Sequence, residues 1–287
     1  MTTTQQPTPT LTPEQALKQA RVLAVGTGAD AVDFAQRIPN ADIPALQARV
    51  LEVGSGWDLC DFAILVPGAD LAACQARLLV VGNGLQAAKF ALRVPGADTQ
   101  TLQTHVLASK DGLAASNFAC GVPGADIAAL GANVMNFGCG TAAYLFAVNV
   151  PDADIAACQA KVLEVGTATD AIDFSLDIPN ADIPALQARV LEVGTADDAI
   201  LFAERVAGAD IAACRDCVLA KGSAWPMLRF AMNFPDVDVE SFYTAAQARD
   251  LKWLPRRIRA SFEELVAKYR AQRQQVSQVK LEEAMAS

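Results

Sequence analysis

The sequence predicts an all-α fold, a right-handed α/α solenoid of eight 28-residue two-helix repeats with a helical C-terminal cap. Three observations predict it. The stretch IPNADIPALQARVLEVG occupies residues 38–54 and returns unchanged at residues 178–194. PGAD- or PNAD-like stretches recur every 28 residues without insertion or deletion, and every repeat carries a phenylalanine at the same position. Such a period indicates a solenoid, because one repeat can bury its apolar face only against its neighbours.

The repeats fill most of the 287 residues. Residues 1–10 are expected to be a disordered N-terminal lead. Residues 235–275 are expected to form a helical cap over the last repeat, followed by a flexible tail at residues 276–287. The eight predicted repeats are 11–38, 39–66, 67–94, 95–122, 123–150, 151–178, 179–206 and 207–234.

Each repeat is predicted to open with a turn and a first helix. Proline usually stands at position one, and Gly or Asn at position two ends the preceding helix. An acid at position four is expected to cap the first helix. Glycine at position sixteen ends it, except in the fourth repeat, which has Lys110. The expected capping acids are Glu14, Asp42, Asp70, Asp98, Asp126, Asp154, Asp182 and Asp210.

The second helix of four repeats is predicted to begin with a capping box, a Ser or Thr three residues before an Asp. Its recurrent phenylalanine should be buried, and the small residue after it lets neighbouring helices approach closely. The predicted boxes are Thr27/Asp30, Ser55/Asp58, Thr167/Asp170 and Thr195/Asp198, and the phenylalanines are Phe34, Phe62, Phe90, Phe118, Phe146, Phe174, Phe202 and Phe230. In the C-terminal cap the expected apolar faces carry Trp253, Leu254, Ile258, Phe262 and Leu265.

Composition excludes several classes of protein. No run of about 18 apolar residues lacks charges or turn signals, so no membrane span is predicted. The first residues have no basic or apolar stretch of a signal peptide, and the seven cysteines are an odd number, so a reduced cytoplasmic setting is expected. Residues 11–234 hold 24 acids and 14 bases, a net charge of −10, which disfavours direct nucleic-acid binding.

The pattern FA…VPGADI…LQ…VL…G resembles short members of the α-solenoid class that includes HEAT, armadillo and tetratricopeptide repeats. At 28 residues the repeat is shorter than those of all three families and lacks their signatures. It is also similar to repeat arrays in uncharacterised bacterial and phage proteins. This resemblance covers residues 11–234 and implies a fold but no activity.

Catalytic and metal chemistry find little support in the sequence. The sole histidine, His105, stands at position eleven, where other repeats carry Arg or Lys, so it fits a polar surface row. Cys214 and Cys217 have redox-motif spacing, but Cys214 fills a position that is Leu or Cys in six other repeats, as in a core. Whether this pair has a redox role stays open. Most carboxylates are explained as caps, and no phosphate-binding motif is present. We expect no enzyme activity, cofactor, metal or small-molecule substrate.

The position-eleven row could instead be a basic stripe for phosphates. Arg49/Glu52, Lys161/Glu164 and Arg189/Glu192 have the spacing of ion pairs on one helix face, which favours a structural role.

The exposed face of the second helices is the candidate interaction surface. Positions 23 and 27 are one turn apart and vary from repeat to repeat. Position 19 carries Trp57, Leu85, Leu113 and Trp225 among smaller residues. Repeats four and five depart most from the pattern. A constant frame with a varied stripe is typical of repeat proteins that bind partners along an extended surface. The candidate partner-binding residues are Trp57, Asp61, Leu65, Lys89, Arg93, Asn117, Tyr144, Leu145, Asn149, Leu201, Trp225 and Arg229.

The sequence therefore favours a non-catalytic scaffold or adaptor with a protein partner. Two alternatives stay open. The acidic array could be a decoy that occupies a nucleic-acid-binding protein. The position-eleven row could read a nucleic acid if its bases were unpaired and projected together.

Overall fold

A computed structural model describes residues 11–234 and 237–286. The predicted disordered lead, residues 1–10, lies outside them. The described residues are all-α, with regular pairs of helices and no strand, which confirms the predicted fold class. The predicted flexible tail after residue 275 stays a prediction, and the backbone there belongs to the last helix.

Each predicted repeat contains two helices of similar length, broken near position sixteen. The first helices are α1 (Pro13–Val25), α3 (Ile43–Val53), α5 (Leu71–Val81), α7 (Thr99–Ala108), α9 (Ile127–Phe137), α11 (Ile155–Val165), α13 (Ile183–Val193) and α15 (Ile211–Lys221). The second helices are α2 (Gly28–Arg37), α4 (Gly56–Leu65), α6 (Gly84–Arg93), α8 (Gly112–Gly121), α10 (Gly140–Asn149), α12 (Ala168–Asp177), α14 (Ala196–Arg205) and α16 (Ala224–Asn233). Helices α17 (Val239–Arg249) and α18 (Arg256–Ala286) follow, separated by a 3₁₀ turn at Leu251–Trp253.

Packing divides the chain into two compact units, one ending at Lys161 and the other beginning at Val162. In the first unit each second helix packs against the second helix of the next repeat, from α2 through α4, α6 and α8 to α10. In the second unit α12, α14 and α16 pack in the same order, and α17 contacts α16 and α18. This sequential contact is that of an α-solenoid.

The recurrent phenylalanines form the centre of the core in each unit. Phe62, Phe90 and Phe118 are completely buried in the first unit, and Phe174 and Phe202 in the second. Position eight of repeats two to eight is buried beside them as Leu or Cys, whereas Lys18 of the first repeat is exposed. Position twelve is buried as Val or Leu in every repeat. The prediction of a buried phenylalanine row is confirmed.

The predicted helix caps are formed by side-chain hydrogen bonds. The Asp42 carboxylate accepts a bond from the Ala45 N–H at 3.0 Å, and the other position-four aspartates do the same in their repeats. All four predicted capping boxes are present. Glu14 is a correction, since Thr12 caps α1 and Glu14 lies in its first turn. The Thr12 hydroxyl, one residue before Pro13, accepts a hydrogen bond from the Gln15 N–H at 3.2 Å.

Position two of the repeat requires a left-handed backbone. Its φ is +63° at Asn40, +82° at Gly68 and +59° at Asp152. Glycine carries no steric penalty there, and Asn and Asp tolerate this conformation better than other residues, which explains why only these three types occur in repeats two to eight. Thr12 of the first repeat has φ −65° and is a helix cap instead.

Glycine is needed at position sixteen for a different, steric reason. The backbone of Gly54 is extended, and a Cβ added there would lie 2.4 Å from the Val50 carbonyl oxygen. In the fourth repeat α7 ends earlier, at Ala108, and Lys110 adopts φ +53°. The exception at Lys110 therefore reflects another way of ending the first helix.

Where position nine is a glutamine, its side chain joins one repeat to the next, a role that we did not predict. The Gln47 side chain donates to the Asp70 carbonyl at 2.8 Å and accepts from the Asp70 N–H at 2.8 Å. Gln75 holds Asp98 in the same way. In the second unit Gln187 holds Asp210. Each such glutamine clamp satisfies the backbone at the start of the next first helix.

The C-terminal cap continues the core of the second unit. Phe242 of α17 stacks on Phe230 with ring centroids 5.5 Å apart, and Tyr243 meets Phe262 edge to face at 5.4 Å. Phe262 is fully buried, as predicted. Trp253 is not part of this apolar face, because it lies in the 3₁₀ turn and is 78% exposed.

Candidate functional site

Two arginines of the predicted basic row at position eleven donate hydrogen bonds to backbone carbonyls of the preceding repeat. Arg49 donates from Nε and from one terminal nitrogen to the Gly26 carbonyl, at 3.0 and 2.8 Å, and pairs with Glu52 at 3.0 Å. Arg189 repeats these contacts with Gly166 and Glu192. These two arginines therefore cap the preceding repeat's first helix, whose last carbonyls lack partners within the helix. Arg77 of the same row differs, because its buried Nε has no hydrogen-bond partner among the described residues.

His105 takes the same place as these arginines. Its Nε2 lies 3.3 Å from the Gly82 carbonyl oxygen, the counterpart of the Arg49 to Gly26 contact. In the second unit Lys221 makes the equivalent cap from a neighbouring position, with Nζ 2.6 to 3.1 Å from the carbonyls of Leu191, Glu192 and Gly194. His105 is thus accounted for by helix capping.

The cysteines belong mainly to the core. Cys214 and Cys217 are buried and carry free thiols, although Cys217 stands at a row position. Burial raises the pKa of Cys214 to about 12 and that of Cys60 to about 12, because the thiolate loses its hydration. In the described part of the chain Cys139 is the exposed cysteine and Cys120 is half-buried.

Thiol chemistry should therefore concentrate at Cys139. With a disulfide reagent at pH 8 we expect one thiol of the native protein to react quickly and Cys139→Ser to abolish that fast phase, because only an accessible thiolate attacks. The remaining thiols should react after unfolding in guanidinium. Fast labelling of Cys214 or Cys217, located by peptide mass mapping, would contradict this and favour a redox role for the pair.

Carboxylates show two different environments. The Thr27 backbone and hydroxyl lower the pKa of Asp30, as expected for a capping box. On α12, burial and then the charges of Asp177 and Asp170 raise the pKa of Asp173. No group of three or more His, Cys, Asp or Glu side chains that could hold a metal ion occurs among the residues described.

A groove on the first unit brings several candidate residues together. It has a volume of about 520 Å³ and runs over the second helices α4, α6 and α8. Its walls are apolar at Trp57, Leu85 and Leu92, and polar at Lys89, Arg93 and Asn117. Trp57, Lys89, Arg93 and Asn117 were expected from the sequence to share one surface. Leu85 stands at position 19, as Trp57 does, whereas Leu92 was not considered.

Side-chain contacts determine which charged groups of this α4–α6–α8 groove already have partners. The Lys89 ammonium lies 4.8 Å from the centre of the Trp57 ring and pairs with the Asp61 carboxylate at 2.8 Å. Trp57 stays 41% exposed. Within the described residues, no carboxylate pairs with Arg93. The groove thus presents an apolar wall beside a guanidinium without a partner carboxylate.

The other candidate residues lie outside the groove. Leu65 ends α4 and is 42% exposed, while Tyr144 and Leu145 on α10 are half-buried and Asn149 bonds to the Leu145 carbonyl. In the second unit Leu201 is half-buried on α14. On α16 Trp225 is 47% exposed, and Arg229 pairs with Glu204 at 2.8 Å and lies 3.7 Å from Asp197.

These observations define a helical-repeat protein of the α-solenoid type. No protein-family model, no curated protein and no solved structure matches the chain. Across the helices that the structure describes, none combines the length and the apolar character needed to cross a membrane.

Proposed function

We propose that this protein is a non-catalytic, cytoplasmic scaffold or adaptor, similar in kind to HEAT and armadillo repeat proteins, and that it binds a protein partner in the α4–α6–α8 groove. The observation that carries the proposal is the exposed Trp57 beside Leu85, Leu92 and Arg93. Tryptophan and arginine are enriched among the residues that dominate binding energy. Such a groove is of the kind that takes a segment of another chain.

The groove specifies the chemistry of the partner. Leu85, Leu92 and the Trp57 ring offer a surface for an apolar side chain. Arg93 can bind a carboxylate with two parallel hydrogen bonds, since its fork of N–H groups matches that shape. The partner is therefore an acidic segment with an apolar anchor. The position-eleven row supports this choice over a nucleic acid, because Arg49 and Arg189 are already bonded to carbonyls.

The acidic decoy remains the second candidate function. Asp170, Asp173 and Asp177 place three carboxylates on α12, and burial followed by the charges of the other two raises the pKa of Asp173. A nucleic-acid-binding protein would meet such a face with lysine and arginine.

Two matched variants test the groove. Trp57 and Trp225 both occupy the second residue of their helix, α4 and α16, where an acid is compatible with the helix N-terminus. The wild type and both variants are immobilised and exposed to host lysate, and bound proteins are quantified. We expect an acidic partner to be lost from Trp57→Asp by a factor of roughly ten or more, and retained by Trp225→Asp.

Three results would count against the groove. One is capture that Trp57→Asp leaves unchanged while its helicity is intact. A second is capture of basic nucleic-acid-binding proteins that Asp173→Asn removes, which would favour the decoy. A third is submicromolar binding of duplex DNA at about 150 mM salt, which would favour nucleic-acid recognition.

A further inference from the structure

The fifth repeat lacks the glutamine clamp. Position nine is glutamine in six repeats, but in repeat five it is Gly131 and in repeat eight Arg215. The Gly131 position faces the start of α11, as Gln47 faces the start of α5 at Asp70. The backbone group that a glutamine would hold here belongs to Asp154.

A cavity of about 300 Å³ lies between α9 and α11, beside Gly131. Met135, Phe146 and Cys158 supply apolar walls, and Asp154 supplies a polar one. A Cβ added to Gly131 would lie 3.1 Å from the Phe146 ring, so the absence of a side chain at Gly131 leaves this part of the ring uncovered. The corresponding grooves of repeats two and four are lined by their own glutamines, Gln47 and Gln103.

The backbone of Asp154 offers the same carbonyl and N–H that the glutamine clamp binds at Asp70. The Asp154 carbonyl accepts from the Cys158 N–H at 3.0 Å, and the Asp70 carbonyl accepts from Cys74 at 3.1 Å. Asp70 also exchanges two hydrogen bonds with the Gln47 amide. Within residues 11–234, no side chain gives Asp154 these two bonds. The donor and acceptor of Asp154 are thus open to a second molecule.

We propose that this α9–α11 cavity binds a primary carboxamide on a short aliphatic arm, the side chain of a glutamine in a partner polypeptide. The amide NH₂ donates to the Asp154 carbonyl, and its oxygen accepts from the Asp154 N–H, as in the intramolecular clamps. The methylenes lie against Phe146 and Met135. A carboxylate has no proton to donate and is repelled by the side chains of Asp152 and Asp154. The inference does not depend on the α4–α6–α8 groove.

The probe that tests the site is N-acetylglutamine methylamide, titrated into the ¹⁵N-labelled full chain. We expect saturable shifts at the amides of Asp154 and Gly131, with a Kd of about 1–10 mM, as fits so small a ligand. The glutamate counterpart should bind at least roughly tenfold more weakly, because one bond is replaced by repulsion. Butyramide, a free primary amide without a peptide backbone, tests whether the ligand is a polypeptide side chain or a free amide. Weaker binding of butyramide supports a polypeptide, and equal binding overturns the polypeptide source in favour of free amides.

Two variants distinguish a specific site from general solvent effects. Gly131→Gln provides the repeat's own amide, so the probe response at Asp154 should fall at least roughly tenfold. Gln47→Gly opens the equivalent cavity in repeat two, and a new response should arise at Asp70. The proposal is overturned if Gly131→Gln keeps full binding with unchanged helicity, if glutamate binds as well as glutamine, or if no saturable shift occurs below about 50 mM. If Gln47→Gly unfolds, Gly131→Gln alone decides.

Discussion

Replacing Phe118 by alanine is expected to lower the free energy of unfolding by about 3–5 kcal/mol. The ring is completely buried in the first unit and sits on α8 between the neighbouring second helices. Its loss removes the transfer energy of the ring and leaves a cavity that rigid helix pairs fill poorly. Urea denaturation followed by circular dichroism measures the change.

Phe137 is the matched control for this prediction. It ends α9, is 48% exposed, and contacts the Lys110 ammonium 5.7 Å from its ring centre. Phe137→Ala should cost no more than about 1 kcal/mol, because about half of its surface is already hydrated and its removal leaves no enclosed cavity. Equal losses for the two variants would mean that the phenylalanine row does not form the core.

Replacing Gln47 by alanine is expected to lower the free energy of unfolding by about 2 kcal/mol. Both hydrogen bonds to Asp70 disappear, so its N–H loses its partner and its carbonyl keeps only the bond from the Cys74 N–H. Water in the adjacent groove offsets some of the loss. The same denaturation experiment measures it.

Gln36 serves as the control for the glutamine clamp. It lies on α2 and its side chain is exposed. Gln36→Ala should change the stability by less than about 0.5 kcal/mol, as is usual for surface substitutions. If Gln47→Ala were as harmless as Gln36→Ala, the clamp would not join neighbouring repeats.

The helices were predictable because their local signals agree in every repeat. Asp42 and its counterparts cap the first helices, Thr27 and Asp30 form a box, and Phe34 lies on the face that its spacing indicates. Caps, glycines and apolar periodicity act within a few residues of the chain. Because the sequence repeats, the same caps, glycines and apolar positions recur several times, and this makes each signal easy to identify.

The contacts between repeats were less accessible to sequence reasoning. Gln47 reads as a surface residue on a polar face, yet it is buried because its partner stands 23 residues further along the chain. The recurrence of glutamine at position nine was the available signal. Arg49 was correctly paired with Glu52, but its bonds to Gly26 depend on how one repeat stacks on the next.

The candidate surface could be predicted only in part from the sequence, for the same reason. Varied positions on the second helix indicated Trp57, Lys89 and Arg93, and these residues line one groove. Their separation from Tyr144 and Leu145 depends on the packing of particular side chains. Leu85 shares position 19 with Trp57, but Leu92 was missed because a single leucine on a helix carries no distinctive pattern.

The most direct test of the central claim places a photoreactive benzoylphenylalanine in the α4–α6–α8 groove at Leu92. The same group at Phe137, a residue of similar exposure outside the groove, is the control. We predict that irradiation with the purified partner yields a covalent adduct from position 92 and not from position 137, and that Trp57→Asp suppresses it. Adducts from position 137 alone, or from both positions regardless of Trp57, would contradict the proposed groove.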